Sequence, residues 1–339
     1  MKTVNAYCLA WHINQSDAFY DLLVNPLRDY VNIRLKTWDG KSHLEEQNGS
    51  TLIFCYHPPP LEMLCDKRFH LIWIPMWDQA QYYTQAWWAN LPKSLRIIAF
   101  SKTIAELAYQ SQVATLCLTY FKDPSIFPPL WESKTRIALY WNRRCIVSPE
   151  FLAKFCKALQ IDKLIFRGRV DPCISESLSY QLPERLGDTL IENINELPSR
   201  ETFWSFLNQS NVFIAPRLAE GVGMTFLEAL AQGSAVFAFN GSTMNEYIDH
   251  GYDGYLLNSH HSTLLNAMQS IATRVCYKTI TKLTKKELFL YPITKYQNWQ
   301  EMSLLDIAGI GHHAREKHVK GYMEWMNNIG KYAKFILEW

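Results

Sequence analysis

Short apolar runs recur along this chain with amphipathic stretches between them, in two series separated by a proline-rich break. The first series reads "TVNAYCLAWHI" from Thr3, "VNIRLKTW" from Val31, "STLIFCYH" (50–57), "HLIWIPMW" (70–77), "LRIIAFS" (95–101) and "ATLCLTYF" from Ala114. Between these runs, "FYDLLVNPLRDY" has a helical pattern broken near Pro26. "KTIAELAYQSQ" has another, with Ser101 placed to cap it and Glu106 in its body. Apolar runs without strict alternation, spaced by helices, predict parallel strands covered on both faces. The break, "KDPSIFPPLWESK" (122–134), holds three prolines and no periodicity, which reads as a linker.

The second series repeats the scheme. "TRIALYWN", "KLIFRG", "VFIAP" and "AVFAFN" read as strands. "SPEFLAKFCKALQ", "SRETFWSFLNQS" and "GMTFLEALAQG" read as helices, the first with Ser148 as cap and Pro149 in first position, the last stopped by Gly233. With 339 residues the chain has room for two domains of about 150 each. The expected domains are 1–125 and 135–317, joined by 122–134, with a tail helix from about 318 to 339. From Gly311 the tail reads as helix with some interruption, and Trp325, Ile329 and Tyr332 recur at helical spacing.

Composition excludes some classes. Lys and Arg number 34 against 32 Asp and Glu, a balance that argues against nucleic acid as partner. The eight cysteines include no CxxC pair, and Cys8, Cys55 and Cys117 lie in strand-like runs as small hydrophobes, so a reducing, cytoplasmic setting is expected. The opening "MKTVNAYCLAWHINQSD" turns polar at Asn5 and offers no small-residue cleavage site, which speaks against a secretory leader. No apolar run approaches the roughly 18 residues of a membrane span. The adjacent histidines at 260–261 and 312–313 diverge on any regular backbone, and no metal-ligand spacing occurs.

The chemistry concentrates in "VFIAPRLAEGVGMTFLEALAQGSAVFAFN" (212–240), an apolar strand, a glycine turn, a helix and a second strand. Gly221 and Gly223 permit positive φ and close approach of backbone to a ligand. The amides of Gly223, Met224 and Thr225 open the helix with no partners of their own, a cradle for phosphate. Two acids, Glu220 and Glu228, flank that cradle. Helical side chains tilt toward the N-terminus, so the Glu228 carboxylate reaches back toward the helix mouth. Carboxylates only accept hydrogen bonds, and two oxygens match a vicinal diol. A diphosphate carrying a ribose and a sugar satisfies all of these groups at once. "GVGMTF" is also half of a dinucleotide fingerprint, but Phe226 stands in place of the third glycine.

Pro216, the Glu220-x7-Glu228 pair, Gly223, "EALAQG", "AVFAFN" and "NEYIDHGYDGYLL" together resemble the signature of retaining GT-B glycosyltransferases of the large group 1 type. The resemblance implies two Rossmann-like domains facing a cleft, with the C-terminal helix crossing back to the first. It implies that Glu220 contacts donor-sugar hydroxyls, that Glu228 contacts the ribose, and that the amides from Gly221 to Thr225 hold phosphate and sugar. It also implies basic residues on the diphosphate, for which Arg143 and Arg144 in "YWNRRCIVSPE" are the counterparts. Ser148 stands where the family places a lysine, and Arg167 and Arg169 are its candidate replacements. No metal or other cofactor is implied; the nucleotide sugar is a co-substrate.

The implied reaction moves a hexose from a nucleoside diphosphate to a hydroxyl of a glycan or lipid-linked acceptor, with retention, in bacterial surface polysaccharide or lipopolysaccharide synthesis. On the first domain Asp78, at a strand end, is the candidate for orienting the acceptor hydroxyl, followed by His57 and His12. Rival readings are an epimerase or phosphorylase on the same fold, and a non-catalytic sugar-binding or partner subunit. The tail's Lys317, Lys320, Lys331 and Lys334, with Trp325, Phe335 and Trp339, suit contact with an anionic inner-membrane surface.

Overall fold

A computed structural model describes residues 1–14, 18–142, 147–169, 179–195, 199–215, 217, 219–257 and 297–339. They form two compact units. The first comprises Met1–Lys122, Glu220–Met224 and Lys320–Trp339; the second comprises Asp123–Ala219 and Thr225–Val319.

The first unit is built on six strands: β1 (Thr3–Cys8), β2 (Asn32–Thr37), β3 (Thr51–Cys55), β4 (His70–Ile74), β5 (Arg96–Ala99) and β6 (Ala114–Cys117). Their order is β2-β1-β3-β4-β5-β6, and every neighbouring pair is parallel. All five residues of β3 are buried, which is why its sequence is a continuous apolar run and not an alternation. The helices are α1 (Ala10–Asn14), α2 (Asn25–Leu27), α3 (Leu61–Leu64), α4 (Trp77–Ala80), α5 (Gln85–Ala89) and α6 (Lys102–Gln110). The long run "TVNAYCLAWHI" divides: the strand stops at Cys8 and the rest turns into α1. Near Pro26 the irregularity comes earlier than the proline, as a π turn over Tyr20–Val24, and Pro26 sits in the first turn of α2, where its missing N–H is not needed. Ser101 caps α6, its Oγ accepting from the Ile104 amide.

The second unit has seven strands: β7 (Ile137–Trp141), β8 (Lys163–Arg167), β9 (Arg185–Leu186), β10 (Thr189–Asn193), β11 (Val212–Ile214), β12 (Ala235–Phe239) and β13 (Tyr255–Leu257). The order is β13-β12-β11-β7-β8-β10-β9, parallel except for the β9–β10 hairpin. That hairpin is absent from the sequence reading; it turns at Gly187, whose φ is 63°. The helices are α7 (Pro149–Leu159), α8 (Arg200–Leu207), α9 (Met224–Gln232) and α10 (Trp299–Ser303). Ser148 caps α7 by accepting from the Phe151 amide at 3.1 Å, and Ser199 caps α8 by accepting from the Thr202 amide at 3.2 Å. Five side chains of α7 are buried, Phe151, Leu152, Phe155, Cys156 and Leu159, the phenylalanines and leucines each contributing about 1.5–3 kcal/mol.

The last helix, α11 (Ile307–Leu337), runs 31 residues without the expected interruption and begins four residues before Gly311. Its first part packs in the second unit, where Arg315 donates to the carbonyls of Phe127 and Ala231. Its last part closes the first unit: Trp325, 3% exposed, stacks edge-on with Tyr120, and Tyr332 packs edge-on against Phe100. Of the tail residues singled out for a membrane face, Trp325 is buried in the first unit, while Lys320, Lys331 and Lys334 are exposed. Trp339 and Phe335 lie under the Arg96 guanidinium at 4.1 and 5.3 Å, and Lys317 is paired with Asp249 and Asp253. Among the described residues no helix is long and apolar enough to cross a membrane.

Candidate functional site

Each sheet grows from its first strand in one direction and then resumes on that strand's other side. In open α/β sheets ligands bind at the carboxyl ends of the strands where this reversal falls. In the second sheet the reversal lies between β7 and β11, which pair in register from Ala138↔Val212 to Tyr140↔Ile214. Beyond the carboxyl ends of these strands the chain therefore carries Asn142 after β7, Gly168 and Arg169 after neighbouring β8, and Ala215 after β11 on the way to Glu220 and α9.

Arg143, Arg144 and Pro216 lie outside the described residues. Arg167 is opposite Trp141 in register, only 1% exposed, with its guanidinium 4.4 Å from the Trp141 ring centre. A buried cation is tolerable when it stacks on an aromatic face. Asn142 ties the two strand ends together: its amide donates to the Arg167 carbonyl at 2.8 Å, and its Nδ2 donates to the Gly168 carbonyl at 2.9 Å. Arg169 is exposed. The sequence offers both arginines to a phosphate, and the structure separates them by depth.

The two glycines of the turn differ in what they do. Gly223 has φ of 77°, a conformation that favours glycine, and α9 begins at the next residue. Gly221 does not use the positive φ that the sequence permits it. Its constraint is space: a Cβ there would lie 3.0 Å from the Met76 Cβ and 3.2 Å from the Asp78 Oδ1. The structure thus brings Asp78, half-buried in the first turn of α4, against the Gly221 backbone. Glu220 is half-buried beside it in sequence.

Helix α9 is buried along Phe226–Gln232, and two of those residues are polar. Gln232 is anchored through its nitrogen: Nε2 is within donating distance of the carbonyls of Leu207 and Ser210 and of Ser234 Oγ, while Oε1 has no hydrogen-bond partner among the described residues. Glu228, 5% exposed, is no solvated helix start. Its Oε1 lies 3.7 Å from Arg200 Nη2, and Arg200 in turn stacks over Trp204 at 4.6 Å. An ionised carboxylate at that depth requires a cation nearby, and Arg200 from α8 supplies one. Arg200 carries no mark in the sequence, because an acid and a base brought together from two helices on one sheet have no linear signature.

In the first sheet the reversal lies between β1 and β3. His12 follows β1 on α1, and Tyr56 and His57 follow β3, with Tyr56 at φ of 76°, a strained value for an aromatic residue. The His57 Nδ1 accepts from Gln79 Nε2 at 2.8 Å, and Gln79 Nε2 also donates to Tyr83 Oη at 3.1 Å. His12 is 4% exposed, and its ring lies 4.9 Å from Phe19 and 5.3 Å from Tyr56. Burial, and then repulsion from His57, push the His12 imidazole from 6.5 down to about 4.

Between pH 6.5 and 4 the unfolded chain takes up a proton at His12 that the folded chain refuses. The His12 contribution is therefore whole above pH 6.5 and falls by on the order of 3 kcal/mol as pH drops to 4. Urea titrations at pH 7.5, 6, 5 and 4 will show it as a slope that is smaller in His12→Gln. An identical slope in both proteins removes His12 as its source.

Residues 176–273, less than a third of the chain, match the family described as "Glycosyl transferases group 1". Among curated proteins no match is found. Solved structures align over nearly the whole chain. Sucrose-phosphate synthase from Thermosynechococcus elongatus aligns at 12% identity and TM-score 0.59, covering 98% of each chain. Anabaena HepE in complex with UDP and glucose aligns at 12% identity and TM-score 0.55, covering 98% of this chain and 99% of its own. A glycosyltransferase from Rickettsia africae aligns at 12% identity and TM-score 0.53, covering 99% of both. The fold is GT-B. Within this GT-B chain, the matched segment contains the β9–β10 hairpin, Arg200, the Glu220 turn and Glu228.

Proposed function

We propose that this chain is a glycosyltransferase that moves a hexose from a nucleoside diphosphate sugar to a hydroxyl of a glycan or lipid-linked acceptor, with retention at the anomeric carbon. The observation that carries the reading is Glu228: a carboxylate 5% exposed, inside a helix that opens on a positive-φ glycine beside the sheet reversal. The ribose diol is the partner for its oxygens, and the sugar hydroxyls are the partners for Glu220. The amides from Gly221 to Thr225 and the helix dipole meet the diphosphate, together with Arg143 and Arg144. Arg169 is the exposed arginine of the pair and the one within reach of solvent, while Arg167, buried on Trp141, adds positive field at the same strand end.

In the reaction the bond from C1 to the phosphate oxygen breaks and a bond from C1 to the acceptor oxygen forms on the same face. The acceptor proton passes to the departing phosphate, and Asp78 orients the acceptor hydroxyl. The charge that develops is met by arginines and amides, so the proposal calls on no metal. A bacterial surface polysaccharide or lipopolysaccharide is the setting we assign.

UDP-, GDP- and ADP-linked glucose, mannose and N-acetylglucosamine are to be screened for thermal stabilisation and slow hydrolysis. Glu220→Gln is expected to leave UDP or GDP binding intact and to lower transfer by about a hundredfold, because its contact is to the sugar alone. Equal loss of free nucleotide binding would show Glu220 outside the sugar subsite.

A further inference from the structure

The two edge strands of the first sheet are guarded differently. β2 carries Arg34 and Lys36 in exposed positions, the kind of charge that keeps an edge from pairing with another chain. β6, "ATLC", has no charge and no proline, and among the described strands only β5 pairs with it. A cavity of about 240 Å³ lies between β6 and α11, within the first unit. Along the strand and just beyond it the cavity touches Leu116, Cys117, Leu118 and Thr119. Successive strand side chains point to opposite faces, so a cavity that meets four residues in a row meets the backbone edge.

The opposite wall is α11, and its direction is fixed at both ends. Gly321 meets Phe121, whose ring a Cβ would strike. Arg96, in register with Ala114, lies against Phe335. The helix therefore runs antiparallel to β6, with Glu324 toward the end of the strand and Lys331 toward its start. Both residues line the cavity, both are exposed, and neither has an ion-pair partner among the described residues. Seven residues apart on a helix is about 10.5 Å, too far for the two to pair with each other and close to the span of three strand residues. We infer that this cleft binds an extended peptide segment of a partner protein. The segment adds to β6 as an antiparallel strand, with an acidic residue at Lys331, a basic residue at Glu324 and an apolar side chain between them.

Size and chemistry favour that occupant. The cavity falls short of the roughly 300–1,000 Å³ of a small-molecule site, and suits one anchoring side chain with its backbone. Its middle is apolar, at Leu116, Leu118 and buried Trp325, and its charges stand toward the two ends. In an added strand every second side chain faces the helix, which places the basic, apolar and acidic residues at alternate positions. Main-chain hydrogen bonds then supply affinity, and the two charges set orientation. Cys117 packs against the core beneath α6, so Leu116 and Leu118 face the other way, toward α11. The Leu118 amide turns to β5, donating to the Ala99 carbonyl. Peptide residues that share the face of these leucines turn their amides away from β6 in the same manner, and the residues between them turn theirs toward it. The cleft belongs to the first unit alone and is independent of the donor chemistry.

The test titrates the full chain calorimetrically with acetyl-Arg-Val-Leu-Val-Asp-amide and with its charge-swapped twin, acetyl-Asp-Val-Leu-Val-Arg-amide. The first is expected to bind at about 100 μM, and the second about tenfold more weakly. The double variant Glu324→Lys, Lys331→Glu exchanges two exposed side chains, keeps the fold, and is expected to reverse the preference. N-methylation of both valines of the first peptide is expected to abolish binding, while N-methylation of its leucine spares it. No binding of either peptide, equal binding of both, a preference unchanged in the double variant, or equal effects of the two methylations overturns the inference. A dimer in sedimentation that Thr115→Pro dissociates gives the edge to a second copy of this chain, and overturns it as well.

Discussion

Glu228→Gln will lower affinity for the nucleotide sugar by about tenfold to a hundredfold, the equivalent of one charge-assisted hydrogen bond pair to a diol. The substitution keeps shape and volume, so packing of α9 is untouched. It replaces one acceptor oxygen by a donor, which opposes a ribose hydroxyl, and removes the charge opposite Arg200. The side chain of Arg200 is 34% exposed and can turn to water, so the stability loss is held to about 1–2 kcal/mol, less than breaking a fully buried pair. Arg200→Gln separates ligand from architecture. If Glu228 serves the ribose, Arg200→Gln keeps nucleotide-sugar affinity within about threefold while losing similar stability. Were both variants to lose stability and affinity in parallel, Glu228 would be the arginine's structural partner and the ribose role would fall. Isothermal titration beside thermal denaturation reads both quantities.

Gly311→Ala will be among the most damaging single-methyl changes in the chain. A Cβ at Gly311 lands on the Gly233 carbonyl oxygen and 3.1 Å from the Trp131 Cβ. Neither neighbour can yield easily, because Gly233 has φ of 82° and is itself packed so closely that a Cβ on it would come 2.6 Å from the Trp131 ring. Overpacking of backbone on backbone costs about 3 kcal/mol, which lowers the melting temperature by roughly 10 °C for a unit of this size. Gly330 on the same helix is the control. It is exposed, and nothing lies within 4 Å of where its Cβ would be. Gly330→Ala is expected to stabilise by about 0.5–1 kcal/mol through helix propensity. Two identical substitutions on α11 thus carry opposite signs. Equal melting temperatures for the two variants would mean that the close approach at Gly311 is not maintained in solution.

What the chain announces in one dimension is what local physics writes locally. Strands β3, β4 and β12 are runs of β-branched and aromatic residues, and the caps Ser101, Ser148 and Ser199 stand one residue before their helices. The strand–turn–helix around Glu220 and Glu228 was legible for the same reason. Helices α3 and α4 have four residues each and show no period to find, and β9 has two. Ala10 to His12 extends an apolar run, and only the three-dimensional need to leave the sheet turns it into helix. Depth was the least legible property. Arg167 and Arg169 look equivalent in "FRGRVD", and only the Trp141 ring distinguishes them. The Glu228–Arg200 pair joins residues 28 apart, brought together by two helices on one sheet.

Residues 320–339 of α11 belong to the first unit, where Trp325, Ile329, Tyr332 and Ile336 are buried. The ribosome therefore releases the unit it begins first only after the other is fully made: residues 1–122 must wait, with that apolar surface uncovered, through translation of everything up to Val319. The nascent amino-terminal half is an exposed, unfinished body for that interval, and the second unit is the one able to fold while synthesis is still under way.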